Sequence, residues 1–221
     1  ILTHVRPDGD TVGCAAALCR ALRDVGKTAY ILPNPGITAT YAPYGDGLWA
    51  PDGFTPGAVE NAVAALHKGA VIVTDTNMAR TGISQPGLAK IGAQAFCYMA
   101  DPAVAAAAKE AGTTRAVAAM HKAAQEYPRA VLAVGNAPTA LLAIAEKIEN
   151  GLRPALVIGV PVGFVNVVES KERLFATCGQ YGVPAIVAMG RKGGSNVAAA
   201  ICNALLYQAA EMLDPKARGW Q

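Results

Sequence analysis

The sequence predicts an α/β fold, a Rossmann-like three-layer α/β/α arrangement built on a mostly parallel sheet. Three observations predict it. Short β-rich runs alternate with Ala-rich stretches of helical period along nearly the whole of the 221 residues. Hydrophobic residues make up 52% of the chain, charged residues 16% and aromatics 6%, which suits helices packed closely on a buried sheet. Repetition of strand, helix and strand implies crossovers that cover both faces of a mostly parallel sheet.

Taken in order, the strand candidates are Ile1 to Val5, Ala29 to Leu32, Ala70 to Thr74, Ala95 to Met99, Ala130 to Val134, Ala155 to Val160 and Ala185 to Met189. Each is short, apolar and bounded by turn-forming residues. Between them apolar residues recur with helical spacing at Val12 to Val25, Pro56 to His67, Pro86 to Ile91, Pro102 to Glu110, Arg115 to Glu126, Ala137 to Glu149, Val165 to Gly179 and Ser195 to Leu213. Residues Pro33 to Gly53 differ. They hold four prolines and four glycines without a helical period, so this stretch reads as a linker or irregular loop and the place for a boundary.

A net charge of +3 without a run of Lys or Arg signals neither a nucleic-acid nor a membrane surface, and leaves room for a small anionic ligand. The five cysteines, Cys14, Cys19, Cys97, Cys178 and Cys202, are widely spaced and odd in number, unlike a disulfide framework or a zinc pattern. Free thiols in a reducing cytosol explain them. No apolar stretch reaches the roughly 18 to 20 residues that a membrane helix requires, and no signal peptide is read. The chain begins at Ile1, which fits the edge of a longer reading frame.

In a parallel sheet the ligand crevice lies beyond the carboxyl ends of the strands, so chemistry is sought in the segments that follow them. These read DTNMARTG, GNAPTA, PVGFVN and GRKGGSN, richer in Gly, Asn, Thr and Ser than packing demands. Asp75, Thr76 and Asn77 follow one strand; Asn136 opens a helix, with Thr139 three residues on. Arg191 and Lys192 precede Gly193, Gly194, Ser195 and Asn196, which begin the last helix. The paired glycines let an anionic group approach backbone amides, and the helix dipole favours its charge. Met78 and Met99, and His67 and His121, are assigned to core packing and to surface positions respectively.

The strings FTPGAVENAV (54–63), VTDTNMARTGI (73–83), VGNAPTALL (134–142), IGVPVGFVNVVESKE (158–172) and GRKGGSNVAAAICNALLY (190–207) resemble, in order, the precorrin-8X methylmutase (cobalt-precorrin-8 methylmutase) family. The resemblance implies a cytoplasmic homodimer with a Rossmann-like sheet. It implies an isomerase of corrin (vitamin B12) biosynthesis that moves a methyl group from C-11 to C-12 of precorrin-8X or cobalt-precorrin-8, without an added cofactor. Such a shift needs a bound tautomer made reactive by protonation and held in position. The carboxylates around the ring call for donor-rich loops and fixed cations. Arg115, in GTTRAVAAM, matches an arginine that the family places at the substrate; Arg80 and Lys192 are read either as further cations for the substrate or as solvent-exposed or helix-end residues, and Asp75 either as polarising a neighbour or accepting from a ring N–H, or as a turn aspartate that bonds its own backbone.

The family pattern also implies a histidine shortly upstream of the FTPGAVE string as proton donor and acceptor. That region here reads ITATYAPYGDGLWAPDG, with no histidine between His4 and His67, and Tyr41 falls near the expected position. The opening THVRPDGDTVGCAAALCRALRDVGK resembles instead the first motif of the DHH phosphoesterases, in which His4, Asp8 and Asp10 would be hard ligands for Mn²⁺. The Asp-His-His segment of that family does not follow. Residues 1–52 are accordingly expected to be a DHH-like fragment and linker, and residues 53–213 the methylmutase domain. Alternatives to the isomerase are a non-catalytic tetrapyrrole binder lacking the catalytic histidine and a fragmentary metal-dependent phosphoesterase.

Overall fold

Five strands, β1 (Ile72–Thr74), β2 (Ala95–Phe96), β3 (Val131–Val134), β4 (Leu156–Gly159) and β5 (Ala185–Val187), form one sheet in the order β2-β1-β3-β4-β5 in the computed structural model. Every pairing is parallel, with Ile72 beside Val131 and Val131 beside Leu156. The structure describes residues 8–27, 29–31, 37–48 and 53–214. The strand candidate Ile1 to Val5 lies outside them.

Alternate residues of a strand point to opposite faces, and here both faces are apolar. Val73, Leu132, Val134, Val157, Ala185 and Val187 pack on one side against α5 (Pro102–Glu110), α6 (Arg115–Glu126), α7 (Pro138–Glu149) and α8 (Val167–Tyr181). Ile72, Val131, Ala133, Leu156, Ile158 and Ile186 pack on the other against α2 (Ala58–His67), α3 (Asn77–Gly82), α4 (Gln85–Ile91) and α9 (Ser195–Ala209). The three layers of the expected fold are therefore present. Alanines at the contacts, such as Ala119, Ala123, Ala140 and Ala198, allow the helices to lie close to the sheet.

The helix ends follow from capping residues. Thr76, Ser84, Asp101 and Thr114 each accept a backbone N–H in the first turn of α3, α4, α5 and α6, and Pro86, Pro102 and Pro138 occupy first-turn positions that lack a partner N–H to lose. Gly92 and Gly182 end α4 and α8 in the left-handed conformation. Two sequence expectations are corrected. The segment after β1, read as a polar loop, winds into the short helix α3 because Thr76 caps it; the last helix stops at Ala209 rather than Leu213.

The chain divides into two compact units, Ile1–Asp52 and Gly53–Gln221. In the first, α1 (Gly9–Asp24) is capped by Asp8, and Ala15, Ala16 and Cys19 form a small core with Ala29, Ile31 and Leu48. The Pro33 to Gly53 stretch is not wholly irregular. Ala42–Gly45 forms a 3₁₀ turn, and Ile31 donates its N–H to the Leu48 carbonyl at 2.8 Å. In the second unit, residues 53–55 run antiparallel to β5: Val187 N–H donates to Gly53 O at 2.8 Å and Thr55 N–H to Ala185 O at 3.0 Å.

Candidate functional site

The order β2-β1-β3-β4-β5 places the reversal of winding between β1 and β3, where doubly wound sheets open a crevice at their carboxyl ends. Asp75 stands at that point, immediately after β1. It is 1% exposed, and its carboxylate accepts three backbone N–H groups of the β3–α7 loop: Gly135 at 2.8 Å, Asn136 at 2.8 Å and Ala137 at 2.8 Å. Burial pushes its carboxyl above the ordinary range, against the pull of these N–H donors. With both oxygens engaged inside the fold, Asp75 holds a loop in place and does not reach out to a ring N–H. Its partners lie about sixty residues away in sequence, so no local pattern pointed to them.

Thr76 joins the next pair of elements. Its Oγ1 accepts the Ala79 N–H at 3.1 Å as the cap of α3 and donates to Ser195 Oγ, at the start of α9, at 2.8 Å. Gly135 lies so close to α9 that an added Cβ would stand 2.7 Å from Ser195 Cα. Gly193 has φ +154°, and its added Cβ would stand 2.0 Å from the Val160 carbonyl oxygen, which accepts the Gly194 N–H at 2.8 Å. Only glycine fits there. The ends of β1, β3 and β4 and the start of α9 are thus interlocked.

Other expected residues surround this junction. Thr114 Oγ1 and Thr139 Oγ1 are 3.3 Å apart, which brings the first turn of α6, with exposed Arg115, beside the first turn of α7 and the exposed Asn136 in the loop just before it. Asn77, Lys192 and Asn196 are exposed, whereas Gly194 is buried. Arg80 donates from Nε to the Ala95 carbonyl at 3.2 Å and so ties α3 to β2. Met78, expected in the core, is 71% exposed; with Val162, Phe164 (86%) and Val165 (76%) it adds large apolar side chains to the start of α3 and to the loop after β4.

Lys171 was not singled out from the sequence, although it lies in the VVESKE string. It is fully buried, and its Nζ donates to the carbonyls of Gly190 at 2.7 Å and Lys192 at 2.8 Å in the β5–α9 loop. Burial, with the Lys192 charge nearby, pushes its ammonium down to about 8. The signal available in sequence was a lysine at an inward-facing helical position, between the buried Val167 and Leu174.

Two grooves lie elsewhere on this unit. One of 710 Å³ is at the amino-terminal edge of the sheet and includes Lys68, Arg129 and Arg153. The other, of 770 Å³, runs between α5, α6 and α7 and includes Val104, Val117, Leu142, Thr139 and His121. His121, expected at the surface, is half-buried there; burial and the charge of Lys147 lower its pKa, which favours the neutral imidazole.

The N-terminal unit holds the remaining candidates. Asp8 Oδ1 accepts the Thr11 N–H at 2.9 Å and the Thr11 hydroxyl at 2.7 Å, so it serves as a helix cap, and Asp10 is exposed in the first turn. His4 lies outside the described residues. Among those described, no group of three or more His, Cys, Asp or Glu is placed to hold a metal ion. Tyr41 precedes the 3₁₀ turn and packs near Gly9.

Fold and rim define a doubly wound α/β protein whose strand ends carry interlocked, donor-rich loops. The family model of the precorrin-8X methylmutases matches residues 53–208. The chain is 46% identical to a cobalt-precorrin-8 methylmutase of Salmonella typhimurium over 75% of this chain and 74% of that protein. It is 40% identical to one of Leptospira interrogans over 68% and 71%. A solved precorrin-8X methylmutase from Thermus thermophilus superposes with a TM-score of 0.63 at 43% identity, over 72% of this chain and 76% of that one. The chain belongs to the precorrin-8X methylmutase family, isomerases of cobalamin biosynthesis. These matches lend nothing to the phosphoesterase resemblance of residues 1–44.

Proposed function

We propose that this chain moves a methyl group from C-11 to C-12 of precorrin-8X or cobalt-precorrin-8, giving hydrogenobyrinate or cobyrinate, and that the substrate sits on the carboxyl edge of the sheet. The observation that carries this reading is the convergence of the β1, β3, β4 and β5 loops on one edge, pinned by Asp75, Thr76 and Gly193. The ligand is amphipathic, with a conjugated apolar ring and carboxylates on its rim. Loops and helix starts bearing Asn77, Arg115, Asn136, Lys192 and Asn196 beside exposed Met78, Phe164 and Val165 suit both parts.

A positioned ring requires protonation and later return of the proton, and no added cofactor. The described rim loops carry no histidine. This favours a second reading for the chain as it stands, in which product binding is retained and turnover is slow, with Tyr41 as a candidate acid. The Mn²⁺ site at His4, Asp8 and Asp10 would be weak, because it lacks the acidic partners of a two-metal centre. The assembly we assign is a cytoplasmic homodimer without nucleic-acid or membrane partners.

The test is a titration of hydrogenobyrinate followed by its visible spectrum. Arg115→Ala is expected to weaken binding about tenfold or more, as loss of a charge-assisted contact does, while Arg129→Ala, at the opposite edge of the sheet, leaves it unchanged. Equal losses in both variants, or no binding by the parent protein, remove the carboxyl-edge site.

A further inference from the structure

We propose that Lys171 is a positioning residue for the ligand edge: its ammonium holds the β5–α9 loop in the shape that presents Gly193 and Ser195, and so governs ligand affinity without touching the ligand. The inference rests on the proposed function in one respect, that the ligand is an anionic macrocycle at this edge.

A lysine is rarely buried without a partner, because removing an ammonium from water is costly. Lys171 is fully buried, and among the described residues no carboxylate lies within ion-pair distance of it. Its partners are two backbone carbonyls, of Gly190 and Lys192, at 2.7 and 2.8 Å. An aliphatic side chain of similar length would fill the same volume without the desolvation penalty. The charge therefore contributes something other than packing.

The loop explains what that is. Gly190, Gly193 and Gly194 have φ of +75°, +154° and +134°, so residues 190–194 have little intrinsic preference for one conformation. Three ties select one: Lys171 from α8, the Val160 carbonyl just after β4, and the Thr76 hydroxyl just after β1, which bonds to Ser195 at the loop's end. Lys171 alone among them turns two carbonyl oxygens inward. A carboxylate arriving at the rim then meets N–H donors and a positive interior rather than carbonyl lone pairs. Loss of the ammonium leaves two carbonyls without their donor, frees the glycines and removes the charge.

The experiment compares hydrogenobyrinate affinity in the full chain, in Lys171→Met and in Leu174→Ala, a cavity-forming change in the core on the same helix, at a temperature where all three are folded. Lys171→Met should bind roughly 10- to 100-fold more weakly, the range expected when supporting contacts are lost and a site is displaced by about an ångström. Leu174→Ala should lose stability yet bind within about twofold of the parent. Affinity in Lys171→Met within about twofold of the parent overturns the proposal and leaves the proposed function standing. Absence of binding by the parent overturns both. Should Lys171→Met not fold, amide hydrogen exchange of residues 190–194 in the free parent decides. Protection supports a loop held in place before ligand arrives, and exchange at the rate of an unstructured peptide overturns it.

Discussion

Asp75 and Lys171 are both buried charges that bond to backbone, but they have opposite signs and opposite consequences. In Asp75→Asn one oxygen becomes an NH₂ group facing N–H donors, so at least one of the Gly135, Asn136 and Ala137 amides loses its acceptor. Hydrogen bonds to charged groups contribute about 1.5–3 kcal/mol each. The variant is expected to unfold about 2–3 kcal/mol more easily in urea; an unchanged midpoint would show that the carboxylate is dispensable. For Lys171 the folded value of about 8 lies below the ordinary 10.5. Between those values the unfolded chain keeps a proton that the folded chain has released, so stability rises with pH across the window and is lost as pH falls through the folded value. Urea midpoints at several pH values across this window should therefore show the parent gaining on Lys171→Met towards the alkaline end. A constant difference would mean that the amine does not titrate in the folded state.

Among the elements, α3 shows how a single hydroxyl sets local structure and long-range contact together. Its six residues are too few to be stable alone, and Thr76 both caps it and bonds to Ser195 on α9. Thr76→Val keeps the shape and removes both bonds. A loss of about 1–2 kcal/mol is expected from the cap and the hydroxyl pair, along with faster exchange of the Ala79 amide. Retention of that amide's protection would show that packing against α9 alone holds the helix. The helix escaped the sequence reading because DTNMARTG is too short for an apolar period. α5 and α6, by contrast, were legible to the residue, since Asp101-Pro102 and Thr114 mark their starts in the sequence itself.

On the scale of the whole chain, the two units differ in what they can lose. Gly53–Gln221 contains the complete sheet and both apolar cores, so a chain starting at Gly53 is expected to fold with the same helical content and unfold cooperatively. A chain starting at Gly57 would lack the Gly53–Thr55 pairing and expose the edge of β5. We expect it to aggregate or to melt at a lower temperature, and equal melting temperatures would show the edge to be unimportant. Residues 1–52 are the part where replacement by a histidine-bearing family segment should raise turnover. Full activity in the unaltered chain would instead assign the acid to a residue already present.

Most of the strand and helix pattern, and the family, were determined by the sequence alone, because apolar period, capping residues and motif strings are local properties. The interlocking was decided only in the folded chain. Asp75 reaches Gly135, Thr76 reaches Ser195 across 119 positions, and Lys171 reaches a loop 19 to 21 residues further on. A sequence shows which groups need partners, since an aspartate or a lysine buried in an apolar layer must be satisfied. It does not show which partner the crossovers will bring within 3 Å. The order of strands in the sheet makes that choice, and that order results from burying both faces of the sheet at once.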